Sequence, residues 1–315
     1  MNRGREATSP KDIPLTGWKD TLYRVKDQIG KDRLSMIAAA MSYYALFAFI
    51  PALSSIVLIY AWVSDPTEIY NHINKFSNIL PQEIQAMLKE QLGALSSKAS
   101  STLGFGALFS LLLTLWSASK GSLAFIDGLN IIYNEKEERG FIKQNLMALG
   151  TTLLATLLGI IAIGVIIGVP ATASFLGWPD SLEFAVTAAS WLALLALFSV
   201  FLAFAYRFGP HRQKAKWKWV SWGAVIAAVL WAISSAGFSW YASEFGDFNK
   251  TYGSMGAIIV LMMWFYISSF VILLGGEINA ELEHQTMKDT TTGHPLPLGS
   301  RGATMADTVG EAKSK

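Results

Sequence analysis

Six long apolar segments dominate the pattern of hydrophobic and polar positions along the chain. Each is long enough to cross a bilayer as a helix, which takes about 20 residues, and each is continuous rather than alternating, unlike a barrel strand. The segments are Met36–Val63, Leu103–Ile126, Gln144–Val169, Phe184–Tyr206, Val220–Tyr241 and Met255–Leu274. The pattern therefore predicts an all-α, polytopic membrane protein with six transmembrane helices and short amphipathic helices outside the membrane.

The first span reads as a permanent helix. A polar segment precedes it, and it is longer than the apolar region of a removable signal peptide. Pro51 lies inside this span and removes one backbone hydrogen-bond donor, so we expect a kink there.

The spans divide the chain into three parts. Residues 1–35 form an N-terminal tail, residues 36–284 form the membrane domain with an outer loop at 64–102, and residues 285–315 form a C-terminal tail. That last tail is rich in Thr, Gly, Pro and Ser, a composition that predicts disorder.

Two amphipathic helices are predicted outside the spans. In the N-terminal tail, helical spacing places four apolar residues on one face, and this face is covered either by the inner membrane surface or by the bundle: Trp18, Leu22, Val25 and Ile29. In the outer loop, Pro81 suits a first helical turn. The apolar stripe from Ile84 to Leu95 must be covered either by the membrane surface or, as we favour, by the bundle.

Composition and charge agree with a membrane protein. The chain is 52% hydrophobic and 15% charged, against about 25% charged residues in soluble domains. The net charge of +2 is too small to indicate a nucleic-acid partner. The absence of cysteine excludes disulfides and zinc–thiolate sites.

Basic residues predict the orientation. Of the 25 Lys and Arg residues, 20 lie in the two tails and in the loops 134–143 and 207–219, all on one side of the six spans. The positive-inside rule therefore places both termini in the cytoplasm.

The sequence offers no enzyme, cofactor or metal signature. No phosphate-binding loop, HExxH or nucleophile-elbow motif is present, and the four histidines are scattered over both predicted sides of the membrane. We therefore expect no catalytic site, no cofactor and no metal.

Glycines mark expected close contacts between helices. Gly164 and Gly168 have GxxxG spacing, which favours packing within one bundle, with self-association into a homo-oligomer as the alternative. Gly253 and Gly256, at the start of the sixth span, permit a tight turn or a close helix contact.

Polar residues gather at the basic ends of the spans. Lys120 is the only Lys, Arg, Asp or Glu inside the six spans, and Asp127 shares its helix face. Either Lys120 extends towards lipid headgroups, or, as we favour, it points into a polar mouth of the bundle near Glu277. The other predicted members of the mouth are Asn130, Arg207 and Asn279.

Four stretches resemble the YihY family of bacterial inner-membrane proteins, also called the virulence factor BrkB family. They are AAAMSYYALFAFIPAL, LWSASKGSLAFIDGLNIIY, RFGPHRQKAKWKWVSWGAV and YGSMGAIIVLMMWFYISSFVILLGGEINAELEH, and they span most of residues 37–284. Residues in these motifs are Tyr43, Pro51, Lys120, Asn130, Tyr252, Gly253, Glu277 and Asn279. The resemblance implies a six-helix inner-membrane protein with cytoplasmic termini and no settled activity.

Some members of that family have carried the label ribonuclease BN. Metal-dependent hydrolysis of nucleic acid needs clustered carboxylates or histidines, and the sequence shows no such cluster. We favour a transporter or flippase-like protein for a lipid or envelope-related amphiphile, with membrane lipids as its partners. A structural, scaffolding membrane protein is the alternative, and an intramembrane enzyme ranks last.

Overall fold

Helices account for almost all regular structure in the computed structural model, which describes residues 3–63, 100–245 and 256–312. Outside the helices, these residues contain one isolated antiparallel bridge between Ala215 and Thr291. A short 3-10 turn at Pro10–Asp12 precedes the α-helices. These are α1 (Leu15–Lys31), α2 (Leu34–Val63), α3 (Ser100–Ile132), α4 (Phe141–Leu176), α5 (Asp180–Phe208), α6 (Trp217–Phe245), α7 (Gly256–Glu283) and α8 (Thr304–Asp307).

The helices confirm the all-α membrane fold. Helices α3 to α7 each contain a segment long and apolar enough to cross a membrane: Leu108–Ile132, Phe141–Ile166, Ser181–Phe208, Trp217–Ala242 and Ile258–Glu283. The first predicted span corresponds to α2. Helix α2 runs through Pro51, and the kink there stays a prediction. The outer-loop helix and Gly253 lie outside the described residues.

The chain divides into two compact units. One comprises Met1–Ala39, Ser122–Ala236 and Ile267–Lys315, and we call it the terminal unit because it contains both chain ends. The other comprises Ala40–Gly121 and Gly237–Tyr266. Lys120 belongs to the second unit, and the remaining predicted mouth residues belong to the terminal unit.

Helix α1 packs on the bundle, so this alternative for its apolar face is confirmed. Trp18, Val25 and Ile29 pack in a cluster with side chains of α6 and α7, namely Trp219, Trp222, Ile226, Leu274, Ile278 and Leu282. Leu22 instead stays exposed. After α1, Arg33 adopts a left-handed conformation (φ 52°), which turns the chain into α2.

Helices α6 and α7 approach closely through glycine. A Cβ built on Gly223 would lie 2.1 Å from the carbonyl oxygen of Gly275. The Asn279 side chain spans the same crossing, since its Oδ1 accepts from the Gly223 N–H (2.7 Å) and its Nδ2 donates to the Val220 carbonyl (2.9 Å). The close crossing thus depends on the two glycines, Gly223 and Gly275, and on the side-chain amide of Asn279.

The GxxxG residues of α4 have no such contact within the described chain. No atom lies within 4 Å of a Cβ built on Gly164 or Gly168, apart from their own chain neighbours and helix backbone. Packing within one bundle, which we favoured, and self-association both stay predictions for these residues. Gly256 is buried at the start of α7.

The C-terminal segment is folded as far as residue 312, so the predicted disorder of 285–315 is wrong for its described part. Arg301 is buried and donates to the carbonyls of Met287 (2.7 Å), Leu296 (3.0 Å) and Ala306 (2.6 Å). Asp307 accepts from the backbone N–H groups of the preceding turn. The polar composition led to a wrong prediction, because in this segment hydrogen bonds of polar side chains stabilise a fold that an apolar core usually stabilises.

Candidate functional site

Buried ion pairs hold the N-terminal tail and the C-terminal segment against the helix ends of the terminal unit. Arg24 of α1 pairs with Glu281 of α7 and also donates to Gln285 Oε1 (2.8 Å). Arg3 makes a bidentate pair with Asp20, which is fully buried, at 2.9 and 2.7 Å. Because each buried charge has a partner, these pairs define one arrangement of the tails.

The Arg212–Glu283 pair is the most enclosed of these. Two guanidinium nitrogens of Arg212 donate to the two carboxylate oxygens of Glu283 at 3.0 and 2.8 Å, and both side chains have 0% exposure. Thr290 donates to the same carboxylate (2.9 Å), and the guanidinium carbon lies 3.8 Å from the centroid of the Tyr133 ring. The pair connects the loop after α5, the end of α7 and the C-terminal segment.

Asn130 joins two loops. Its Oδ1 accepts from the His211 N–H (2.7 Å), and its Nδ2 donates to Glu137 (2.9 Å). Burial would raise the pKa of Glu137, but hydrogen bonds from Arg139 and Asn130 outweigh it and bring the pKa to about 2. Asn130 therefore positions the His211 backbone and an ionised carboxylate.

Asp127 and Asn279 also have structural contacts. Asp127 is exposed and accepts a hydrogen bond from Gln144 of α4 (2.9 Å). Asn279 is fully buried at the crossing of α6 and α7. Each of these two residues thus has a helix contact of its own, and the polar mouth stays a prediction.

Glu277 differs from every carboxylate above. It has 0% exposure, and neither carboxyl oxygen has a hydrogen-bond partner among the residues that the structure describes. The titratable group that interacts most strongly with it is Asp32, after α1, whose buried Oδ2 also has no partner there. Burial raises the pKa of Asp32 to about 6.

Arg207 lies in an aromatic patch at the end of α5. Its guanidinium carbon is 4.2 Å from the Trp217 ring centroid and 5.3 Å from that of Phe208. Phe204 contacts both rings, and Lys214 Nζ lies 5.0 Å from the Phe208 centroid. We call these five residues the aromatic patch.

The aromatic patch combines exposed rings with unused donors. Phe204, Phe208 and Trp217 are 43%, 38% and 44% exposed. Nε and Nη1 of Arg207 are buried and have no hydrogen-bond partner in the described part of the chain. A buried guanidinium donor without an acceptor costs free energy, so an arriving anion would be favoured here.

Lys120 contacts one ring in its own unit. Its Nζ lies 5.9 Å from the centroid of Trp116, which is exposed. Its predicted proximity to Glu277 would join the two separate units, and it stays a prediction.

The terminal unit also contains a polar cleft of about 680 Å³. The loops after α3 and α5 and the C-terminal segment line it, including Glu135, His211, Arg212 and Asp307. Glu135 accepts from the Thr304 N–H (2.7 Å) at the start of α8. Neither Lys120 nor Arg207 lines this cleft.

Sequence reasoning missed the partners Asp32, Arg24 and Arg212. Arg24 contacts Glu281 across 257 positions and Arg212 contacts Glu283 across 71. The three acidic residues of EINAELE, which follow an otherwise uncharged span, were the available signal, since buried carboxylates need cations from elsewhere in the chain.

Comparisons with known proteins place this chain in a family of bacterial membrane proteins. The family model described as Virulence factor BrkB matches residues 25–296. The chain is 33% identical over 252 residues to the ribonuclease-like protein YfkH of Bacillus subtilis (strain 168), covering 78% of this chain and 88% of that protein.

Other relatives are named only as membrane proteins. A UPF0761 membrane protein of Tolumonas auensis is 24% identical, covering 84% of this chain and 86% of its own length. The UPF0761 membrane protein NTHI0384 of Haemophilus influenzae is 23% identical, covering 87% and 96%. No solved structure matches the chain.

Proposed function

The chain belongs to the virulence factor BrkB family of membrane proteins, and from this premise we propose that it is a transporter, flippase-like, for an anionic lipid or a related envelope amphiphile. The observation that carries the proposal is Arg207, a cation with unused buried donors among exposed aromatic side chains. We also propose that the protein lies in the bacterial inner membrane.

The aromatic patch can contact both the charged headgroup and the apolar tails of an anionic amphiphile. A phosphate or carboxylate oxygen would accept from the guanidinium of Arg207, with Lys214 adding charge. Exposed aromatic rings at the end of a span lie at headgroup depth, where they contact the first carbons of the tails. The patch would thus receive a headgroup without first burying it in the bundle.

Lys120 is the second headgroup contact that we propose. It lies well inside α3, and its described neighbour is again an aromatic ring, that of Trp116. A charge at this depth costs up to about 2.5–3.5 kcal/mol on insertion scales, so a role in contacting an anionic substrate would explain its presence.

We propose that both termini are cytoplasmic. Reporter fusions after Asn134, Trp219 and Gln285 should report cytoplasm, and fusions at Trp178 should report periplasm, because the loop 207–219 alone carries five basic residues. A periplasmic signal at Trp219 would contradict the orientation and would place the aromatic patch in the outer leaflet.

Exchange of Arg207 tests the transport proposal in cells. In a bacterium that lacks the gene, the distribution of anionic lipid between the leaflets should change, and the wild-type gene should restore it. Arg207→Gln should fail to restore it because both the charge and the guanidinium plane are lost. Arg207→Lys should restore it only in part, since an ammonium cannot donate through a planar fork.

Lys218 supplies the matched control. It is an exposed basic residue on α6, one position beyond Trp217 and outside the aromatic patch. Lys218→Gln removes the same charge from the same end of the helices, and it should restore the lipid distribution fully. Equal failure of Lys218→Gln and Arg207→Gln would show that only general charge matters.

The scaffolding alternative rests on the buried ion pairs, which fix both tails on the terminal unit. It predicts that Arg207→Gln is neutral while disruption of the ion pairs is harmful. The ribonuclease-like name belongs to the Bacillus relative, and we do not extend it to this chain. Among the residues that the structure describes, no three His, Asp or Glu side chains are arranged to hold a metal ion.

A further inference from the structure

Glu277 presents two acceptor oxygens where the described chain offers no donor. It is fully buried on α7, six residues before the helix ends. Asp32 meets it from the turn between α1 and α2 and brings a further unpartnered oxygen, Oδ2. Two facing carboxylates repel each other and accept only, so the pair needs at least one hydrogen.

The charged groups around the pair do not supply that hydrogen. Glu281, on the same helix, faces both carboxyls, and it is already bound by Arg24, with His284 3.5 Å away. From α1, Lys31 is exposed to solvent and interacts with Asp32 only at a distance. Tyr133, after α3, is buried, and its hydroxyl has no partner among the described residues.

We propose that Glu277 is a buried proton-binding site, loaded through Asp32 from the end of the bundle that carries the chain termini. In the loaded state one carboxyl is protonated and donates its O–H to the other carboxylate, so that the pair carries a charge of −1. Loading moves one proton from water to Asp32 and then from Asp32 to Glu277, and unloading reverses both steps.

The placement of Asp32 suits a proton relay. Asp32 is partly exposed, whereas Glu277 is fully buried behind it. Burial raises the pKa of Asp32 to about 6, so it can both take and release a proton near neutral pH. The site does not depend on the transport proposal, and it would give a transporter with this fold a coupling ion.

Unloading has a structural consequence. When the proton leaves, two negative charges face each other in a buried setting, and their repulsion favours separation of the α1–α2 turn from α7. Arg24 would hold Glu281 in both states, since that pair is complete without the proton. Proton binding is thereby linked to how tightly the N-terminal segment packs on α7.

Infrared difference spectroscopy of the full-length protein in lipid bilayers tests the site. At neutral pH, in sodium-free buffer, the wild type should show the C=O stretching band of a protonated, buried carboxyl group. Glu277→Gln should lose this band and still fold, because an uncharged amide can donate to Asp32. Glu283→Gln is the matched control: Glu283 is equally buried but forms an ion pair with Arg212, so the band should remain.

Asp32→Asn provides a second readout. It replaces the facing carboxylate by a donor, which stabilises the ionised form of Glu277, so the midpoint of the band's pH titration should fall by about one unit or more. The wild-type titration and this shift decide the matter even if Glu277→Gln is not produced in folded form.

Three results would overturn the proton site. The first is the absence of the band in the wild type at neutral pH and below. The others are its persistence in folded Glu277→Gln and its loss on addition of Na⁺ or K⁺ at constant pH. The last result would assign the site to a metal cation. A lipid-transport defect with an intact band would concern the transport proposal alone.

Discussion

Arg212→Met should cost about 3–5 kcal/mol of stability, the largest single loss that we expect in the terminal unit. The substitution leaves the Glu283 carboxylate fully buried with Thr290 as its remaining side-chain donor. Protein yield and thermal unfolding in detergent should both fall. The double variant Arg212→Met, Glu283→Leu should recover part of the loss, because an apolar pair of similar volume leaves no buried charge.

The exposed Lys288–Glu6 pair gives the contrast. Its side chains are 53% and 62% exposed at a separation of 2.6 Å, and exposed pairs contribute about 0–1 kcal/mol. Lys288→Met should therefore leave unfolding nearly unchanged. If Arg212→Met were as mild as Lys288→Met, the enclosed ion pair would not be what holds the tails in place.

Gly223→Ala should prevent close packing of α6 on α7 and sharply reduce the amount of folded protein. The new methyl group would lie 2.1 Å from the Gly275 carbonyl oxygen and 2.6 Å from the Asn279 amide. The first obstacle is backbone, so a rotamer change cannot relieve it. Overpacking costs about 1–3 kcal/mol, and loss of both Asn279 hydrogen bonds adds to this.

Gly237→Ala is the control on the same helix. No described atom lies within 4 Å of a Cβ built on Gly237, beyond its own neighbours and helix backbone. Alanine in an open helical position is favoured over glycine by about 0.5–1 kcal/mol, so this variant should be as stable as the wild type or more so. Equal thermal stability of the Gly223→Ala and Gly237→Ala variants in detergent would contradict the close crossing.

The helices could be predicted because a bilayer permits so few alternatives. Backbone groups in lipid must be satisfied within the segment, so a long apolar run such as that of α7 has one outcome. The packing of α1 was left open because the spacing of Trp18, Val25 and Ile29 serves a membrane surface and a bundle equally. Only the partners Trp219 and Ile278 distinguish the two.

The sequence indicated which polar residues follow the spans but not which groups they contact. Sequence grouped Asn130, Glu277 and Asn279 into one polar mouth because they follow apolar spans. In the structure Asn130 holds the His211 backbone, Asn279 holds α6 and Glu277 meets Asp32. Each of these residues lies far along the chain from its partner, and no periodic pattern in the sequence connects a residue with its partner.

The prediction of disorder for the C-terminal segment was wrong for a different reason. Its composition lacks an apolar stripe, and composition predicts disorder when too little apolar surface can be buried. Here Arg301 and Asp307 bind carbonyl and N–H groups that would otherwise need water. Such side-chain-to-backbone bonds leave no periodic signal in a sequence.

Transbilayer movement of lipid by the purified protein tests the central claim most directly. The full-length chain would be reconstituted into liposomes, and the inward and outward movement of a headgroup-labelled anionic phospholipid would be compared with that of a zwitterionic one. We expect faster movement of the anionic lipid than in protein-free liposomes, reduced at least about tenfold by Arg207→Gln, since a desolvated cation–π contact and a charge-assisted hydrogen bond are each worth about 2 kcal/mol. Lys218→Gln should match the wild type. Movement of both lipids at the protein-free rate, by a protein that retains its wild-type unfolding temperature, would contradict the account.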